Sequence, residues 1–273
     1  MNPPTDVSFL NNHLNLIIFP TEACDFRCSY CYEDHAKNNG MRPEVVEGIR
    51  KLMSFRAPQL EELRIEWFGG EPLLRYDIML NLMQYAQMLG EKNNFRVKGM
   101  ATTNGYRLTQ DRISGLISAG VSSYQITLDG DRDNHDKLRV RTNGKGTFNK
   151  IWENLICARH SDLDFSIIIR IHVNGNNKES VRSLLKNISN EMGGDSRFEI
   201  FPRFLSRLGG PNDHTLPITS DMGGIREFIA SLFSFLTFTF IFLNERRFSH
   251  RACQFFFVSC KNSPAPKCNF FII

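Results

Sequence analysis

From Leu14 to about residue 205 the chain switches repeatedly between short runs rich in Ile, Leu, Val and Phe and longer runs with apolar residues at helical spacing. That alternation restricts the fold more than any single residue does. Leu14–Pro20, Leu63–Phe68, Phe95–Thr103, Ser123–Leu128, Phe165–Val173 and Phe198–Leu205 read as six strands. Between them Pro43–Phe55, Tyr76–Leu89, Phe148–Ala158 and Lys178–Met192 read as helices. Pro43 suits a first helical position, and Thr109 suits the cap of a further short helix. Strands alternating with helices imply a parallel sheet covered by helices. The expected fold is therefore α/β, a partial (β/α)6 TIM-like barrel, because the repeats run out before eight can close.

Beyond the repeats the character changes. Eleven of the 23 phenylalanines fall within residues 231–273, and Phe228–Leu243 is a run without a charge. That run is slightly short for a membrane span of about 17–25 residues, and a buried helix or strand is the expectation, so no membrane partner is expected. The expected organisation is an N-terminal segment over 1–13, a core over 14–205 and a connecting helical segment over 206–230. The Phe-rich remainder, 231–273, reads as an irregular tail, aberrant or truncated, with a native ending as the alternative. Lys and Arg exceed Asp and Glu by four, but the excess sits in that tail: residues 1–230 hold 28 of each sign. A neutral core argues against a nucleic-acid partner. No basic and apolar leader with a small-residue cleavage site opens the chain, so a cytoplasmic location is expected.

Seven cysteines occur, an odd number, and three are packed into Cys24-Asp-Phe-Arg-Cys28-Ser-Tyr-Cys31. A disulfide framework fits this poorly, and a metal or cluster site fits it well. Three thiolates on one loop can each take one iron of a cubane and leave the fourth iron open. A zinc site with His35 as a further ligand is the competing reading. Most other candidate residues also follow a strand directly: Gly69-Gly70-Glu71-Pro72, Asn104 and Asp129. Parallel α/β folds bind ligands at that end of the sheet.

The cysteine loop, with aromatic Tyr30 before its third cysteine, resembles the signature of the radical S-adenosylmethionine (SAM) superfamily. Trp67-Phe68-Gly69-Gly70-Glu71-Pro72 resembles that family's motif after the second strand, and Thr103-Asn104-Gly105 the segment closing the third. Thr127-Leu128-Asp129-Gly130, His135–Arg139 and Gly144–Phe148 resemble the peptide- and protein-maturase branch, which includes anaerobic sulfatase-maturating enzymes. The full auxiliary-cluster (SPASM) domain common in that branch is not matched: only Cys253, Cys260 and Cys268 follow the core, without a C-x2-C pair.

The resemblance implies a [4Fe–4S] cluster on Cys24, Cys28 and Cys31, with SAM chelated to the open iron. Reductive cleavage of SAM would yield a 5′-deoxyadenosyl radical that takes hydrogen from a peptide or protein, with electrons from a donor such as flavodoxin or ferredoxin. The implied SAM contacts are Tyr30 to the adenine, Gly69, Gly70, Glu71 and Pro72 around the ammonium, and Asn104 at the third strand end. Thr127 would reach the ribose or carboxylate, and Arg139 the carboxylate, with Arg141 as its rival. Asp129 reads as a positioning or substrate residue, His135 as a structural histidine and Cys157 as a small core residue. Two other readings remain: a remnant that holds cluster and SAM without turnover, and an enzyme acting on a small molecule.

Overall fold

The computed structural model describes residues 12–33, 39–207, 213–216, 222–236 and 270–272. Its strands are β1 (His13–Ile18), β2 (Phe26–Cys28), β3 (Glu62–Trp67), β4 (Arg96–Thr103), β5 (Val121–Thr127), β6 (Arg139–Arg141), β7 (Ser166–Val173), β8 (Phe198–Phe204) and β9 (Phe270–Ile272). Its helices are α1 (Pro43–Arg56), α2 (Tyr76–Asn93), α3 (Gln110–Ser118), α4 (Arg132–Leu138), α5 (Phe148–Arg159), α6 (Lys178–Met192) and α7 (Met222–Leu236).

The main sheet runs β8-β7-β5-β4-β3-β1-β9, and every pairing in it is parallel. The six expected strands are thus present in sequence order, with helices between them, and the sheet stays open as a partial barrel. Val, Ile and Leu dominate because a parallel sheet is buried on both faces: Leu14, Leu63, Ile65, Trp67, Ile167, Ile169 and Ile171 have essentially no exposed surface. The helices close the outside. Helix α6 buries Val181, Leu184, Leu185, Ile188 and Met192, an i, i+3, i+4, i+7 stripe, each side chain contributing roughly 1.5–3 kcal/mol by burial.

Three features differ from the expectation. Phe270–Ile272, within the supposedly irregular tail, pairs in parallel with β1 as an edge strand. Helix α7 crosses the expected boundary at residue 230 and runs on to Leu236, with Ile225, Phe228 and Leu232 buried along one face, so the start of the charge-free run is the buried helix expected of it. Thr109 does stand at the start of α3, but its side chain makes no capping hydrogen bond. The rest of the apolar run, His35, and Cys253, Cys260 and Cys268 lie outside the described residues.

Candidate functional site

Because the sheet is parallel, the segments after β1, β3, β4, β5 and β7 emerge at one edge. The cysteine loop follows β1, and part of it forms β2. That short strand pairs antiparallel with β6 in the register Phe26–Arg141, Arg27–Val140, Cys28–Arg139. The pairing sets Arg139 opposite Cys28, and a turn with Cys31 N donating to the Cys28 carbonyl (3.1 Å) carries the chain to the third cysteine. All three thiols are free and half-buried. Burial pushes Cys24 up to about 12, helped by Glu71, and Cys31 up to about 11. Burial raises Cys28 too, against the opposing charge of Arg139. The bare thiols therefore stay protonated at neutral pH, and metal binding must release their protons.

The glycine pair after β3 serves this loop. Gly69 has φ +107°, and a Cβ there would lie 2.7 Å from the Thr21 carbonyl oxygen. At Gly70 a Cβ would lie 2.2 Å from the Ala23 carbonyl oxygen. Their missing side chains make room for the chain entering the cysteine loop. Gly70 N donates to Thr21 O (3.2 Å) and Glu71 N to Ala23 O (2.8 Å). The Glu71 side chain turns away from the cavity. It accepts from Leu73 N (3.0 Å), Thr103 Oγ1 (2.7 Å) and Asn104 N (2.7 Å), so it caps the short turn that Pro72 starts and clamps the end of β4. Burial pushes Glu71 up to about 7, against these three donors. Asn104 Nδ2 donates to Asp25 Oδ1 (2.9 Å), and Arg107 Nε donates to Asp25 Oδ2 (2.8 Å). Asn104 thus anchors the loop that carries the cysteines.

The other side of the site is organised by charge. Asp129, just past β5, is fully buried. Its Oδ1 accepts from His172 N (3.2 Å) and Nδ1 (2.9 Å), and its Oδ2 accepts from the Tyr30 hydroxyl. Arg139 donates to that same hydroxyl and stands 3.9 Å from the carboxylate. Burial alone would raise Asp129, but His172 and Arg139 more than offset it and hold it well below the usual carboxylate range. Burial lowers His172, with Asp129 opposing. His135 accepts at Nδ1 from Asp129 N (3.3 Å), which leaves Nε2 to donate to Thr147 Oγ1 (3.0 Å). Thr147 in turn donates to the Arg139 carbonyl (2.6 Å). Burial and Arg139 push His135 down to about 4. It is a neutral strut holding β6 against the end of β5, as its structural reading implied.

These segments enclose one cavity of about 220 Å³. Cys24, Cys28, Cys31, Tyr30, Gly69, Gly70, Asn104, Thr127 and Arg139 all line it. Glu71 and Pro72 do not, because they stand behind the wall. Arg141 does not either; it lies over the Tyr106 ring at 4.9 Å, which separates it from Arg139. Tyr30 spends its hydroxyl on Asp129 and Arg139, and its ring packs edge-on against His172 with centroids 4.7 Å apart. Cys157 is exposed, contrary to its reading as a core residue. Helix α5 buries Phe148, Ile151, Leu155 and Ala158, and position 157 falls off that stripe.

Sequence reasoning missed Asp25, Arg170, His172 and Arg203. A signal existed for two of them: Arg170 and His172 interrupt the otherwise apolar Ile167–Val173 at alternate positions, which puts them on one face.

The donor set suits an iron–sulfur cluster and a polar cofactor. Three free thiols line the cavity, and a cubane takes one thiolate per iron. Among the described residues, no three His, Cys, Asp or Glu side chains close on a single ion position. Arg139 Nε is buried without a hydrogen-bond partner, a donor left over for a bound group.

A family model described as the Radical SAM superfamily matches residues 18–188. The GTP 3′,8-cyclase of Tolumonas auensis is 34% identical over 110 residues, which is 40% of this chain and 31% of that protein. The cysteine-type anaerobic sulfatase-maturating enzyme of Clostridium novyi is 26% identical over 209 residues, 73% of this chain and 54% of that protein. The structure of anSMEcpe with bound AdoMet and the Kp18Cys peptide superposes with a TM-score of 0.58 at 21% identity, covering 70% of this chain and 51% of that one; a likeness at that identity concerns the fold. The chain spans from about a third to about half the length of these proteins.

Proposed function

The chain belongs to the radical SAM superfamily, and from that premise we propose that it takes a hydrogen atom from a peptide or protein substrate, as a maturase does. Enzymes of this superfamily work with a [4Fe–4S] cluster and SAM. When bound, the pair supplies one-electron cleavage of SAM and a 5′-deoxyadenosyl radical. The remaining work falls to the chain's own residues. In this reading Cys24, Cys28 and Cys31 hold the cluster, and Arg139, opposite Cys28, balances its negative charge while offering a free donor to the SAM carboxylate. Thr127, in the same wall, offers its hydroxyl to the ribose or carboxylate. Gly69, Gly70 and Asn104 hold the cysteine loop at the distance the cofactor needs. Tyr30, tied to Asp129, closes one side against water. Residues 14–205 constitute the catalytic core.

One observation carries this reading: three free thiols, the glycine pair, Thr127 and Arg139, drawn from four separate segments, line a single cavity at the C-terminal edge of the sheet. The peptide substrate is favoured by the sulfatase-maturating relative, which covers 73% of the chain. The identity to the GTP 3′,8-cyclase favours a second reading, a small-molecule substrate. Anaerobic reconstitution tests the core claim: about four irons per chain are expected, abolished by Cys28→Ala, with 5′-deoxyadenosine released on adding SAM and dithionite. One zinc without sulfide overturns it. A mass change in a co-expressed peptide supports the maturase reading, and conversion of a purine nucleotide supports the second. Among the described residues no helix is long and apolar enough to cross a membrane.

A further inference from the structure

The cavity wall is unevenly charged. Among the described residues, Arg139, Arg170 and Arg203 line it together with one carboxylate, Glu33. Arg139 is committed to Tyr30 and Asp129 beside Cys28. The other two arginines come from the far strands. In the β7–β8 register Arg170 pairs with Phe201 and His172 with Arg203. Side chains alternate along a strand, so Arg170, His172 and Arg203 share the face turned into the cavity. Two cations here oppose each other: burial lowers Arg203, and Arg170 lowers it further. Burial lowers Arg170 as well, and its Nε is buried with no hydrogen-bond partner. Asp129, whose charge favours the charged form of Arg170, is engaged by His172 and Tyr30. Two like charges from adjacent strands, partly desolvated and facing a cavity, have the geometry that recognises an oxyanion.

We propose that Arg170 and Arg203 form an anion subsite that grips a carboxylate or phosphate of the substrate, on the wall away from the glycine pair. The proposal rests on the reading of this cavity as the radical SAM site. It makes the substrate an acidic one, and it gives the wall two functions: the cysteine side holds cofactor, and the β7–β8 side selects and orients what is to be oxidised.

The test uses the full chain with its cluster rebuilt anaerobically and SAM present. Two probes, inorganic pyrophosphate and penta-glutamate, are titrated calorimetrically into wild type, Arg170→Gln, Arg203→Gln and the double variant. At least one probe should bind wild type, and the double variant should weaken it about tenfold or more. SAM affinity and the slow release of 5′-deoxyadenosine without substrate should stay within about twofold. The probe that binds identifies the source of the anion, phosphate or carboxylate. Should the variants not fold, phenylglyoxal labelling of wild type still decides: bound probe should protect Arg170 and Arg203. Binding of neither probe overturns the proposal, as does absence of protection. Loss of SAM affinity in the double variant also overturns it, because the pair would then belong to the cofactor. A wild type that binds a probe but never cleaves SAM refutes the preceding functional reading and leaves the subsite standing.

Discussion

Glu71 and Asp129 are both carboxylates with no exposed surface, yet burial prevails at one and is overcome at the other. Glu71, beside β3 and β4, meets two backbone N–H groups and a hydroxyl. Neutral donors do not outweigh desolvation, and Glu71 is pushed up to about 7. Asp129, beside β5 and β7, faces the guanidinium of Arg139 and the ring of His172, and is held well below the usual range. The two sides of the cavity are therefore held by different physics. The cysteine-loop side is a cradle of close backbone contacts and neutral hydrogen bonds. The opposite side is a balance of charges, which any change of charge will disturb.

The sharpest way to break this contrast is Asp129→Ala. Removing the carboxylate leaves Arg139 buried without its counter-charge and strands the Tyr30 hydroxyl and His172, for an expected loss of about 3–5 kcal/mol. Chemical denaturation of the cluster-free chain measures it. A loss below about 1 kcal/mol would show that charge is not what holds that side. Glu71→Ala should come next, at roughly 2–4 kcal/mol, since it orphans three buried donors of ordinary polarity.

The pH dependence of these two sites has opposite sign. Glu71 titrates higher when folded than its ordinary 4.5. Its contribution is complete below about 4.5 and is lost as pH rises through 7, so wild type should lose stability relative to Glu71→Gln between those limits. The slope should be roughly 1 kcal/mol per pH unit. Asp129 titrates lower when folded, so its contribution is present above the ordinary Asp value and is lost as pH falls below it. Unfolding midpoints of wild type, Glu71→Gln and Asp129→Asn across pH 3–8 separate the two. Parallel curves would remove the contrast.

What could be read in the sequence follows the same division. The elements declared by local pattern were legible: α6 occupies Lys178–Met192 as its stripe implied, and the six strands fall within two residues of their expected starts. The cysteines and the glycine pair were legible because their spacing is short-range. The charge-held side was not. Strands β2 and β6 are three residues each, and their pairing joins segments more than a hundred positions apart, which no periodicity records. The strut from Asp129 through His135 and Thr147 to Arg139 depends on that pairing. Glu71 was placed in the right neighbourhood but facing the wrong way, because nothing local says that Thr103 and Asn104 will claim its oxygens.

Gly70→Ala probes the neutral side by shape alone. Its new methyl would need to displace the Ala23 carbonyl, 2.2 Å from the ideal Cβ position, and backbone yields poorly. Overpacking of this kind costs about 1–3 kcal/mol. The sharper readout is iron content: a displaced cysteine loop should lower reconstituted iron even where the chain stays folded, whereas Gly48→Ala, with open space around it, should leave iron unchanged.

The smallest effect is the most discriminating. The cysteine-loop side has a charged tie of its own, Arg107 Nε to Asp25 Oδ2 at 2.8 Å. If charge governed both sides alike, Arg107→Ala would approach Asp129→Ala in cost. The Arg107 side chain is 34% exposed, however, so solvent screens the pair, and Asn104 Nδ2 already satisfies the other Asp25 oxygen. Screened pairs contribute about 0.2–1 kcal/mol, and raising salt should shrink even that. The expected result is a shift below about 1 kcal/mol with iron content kept, while Asn104→Ala, which removes a neutral tie to the same carboxylate, costs at least as much. The reverse order, with Arg107 dominant, would mean that the cysteine loop too is held by charge, and that Glu71 and Asp129 differ only in their neighbours and not in the principle that built their two sides.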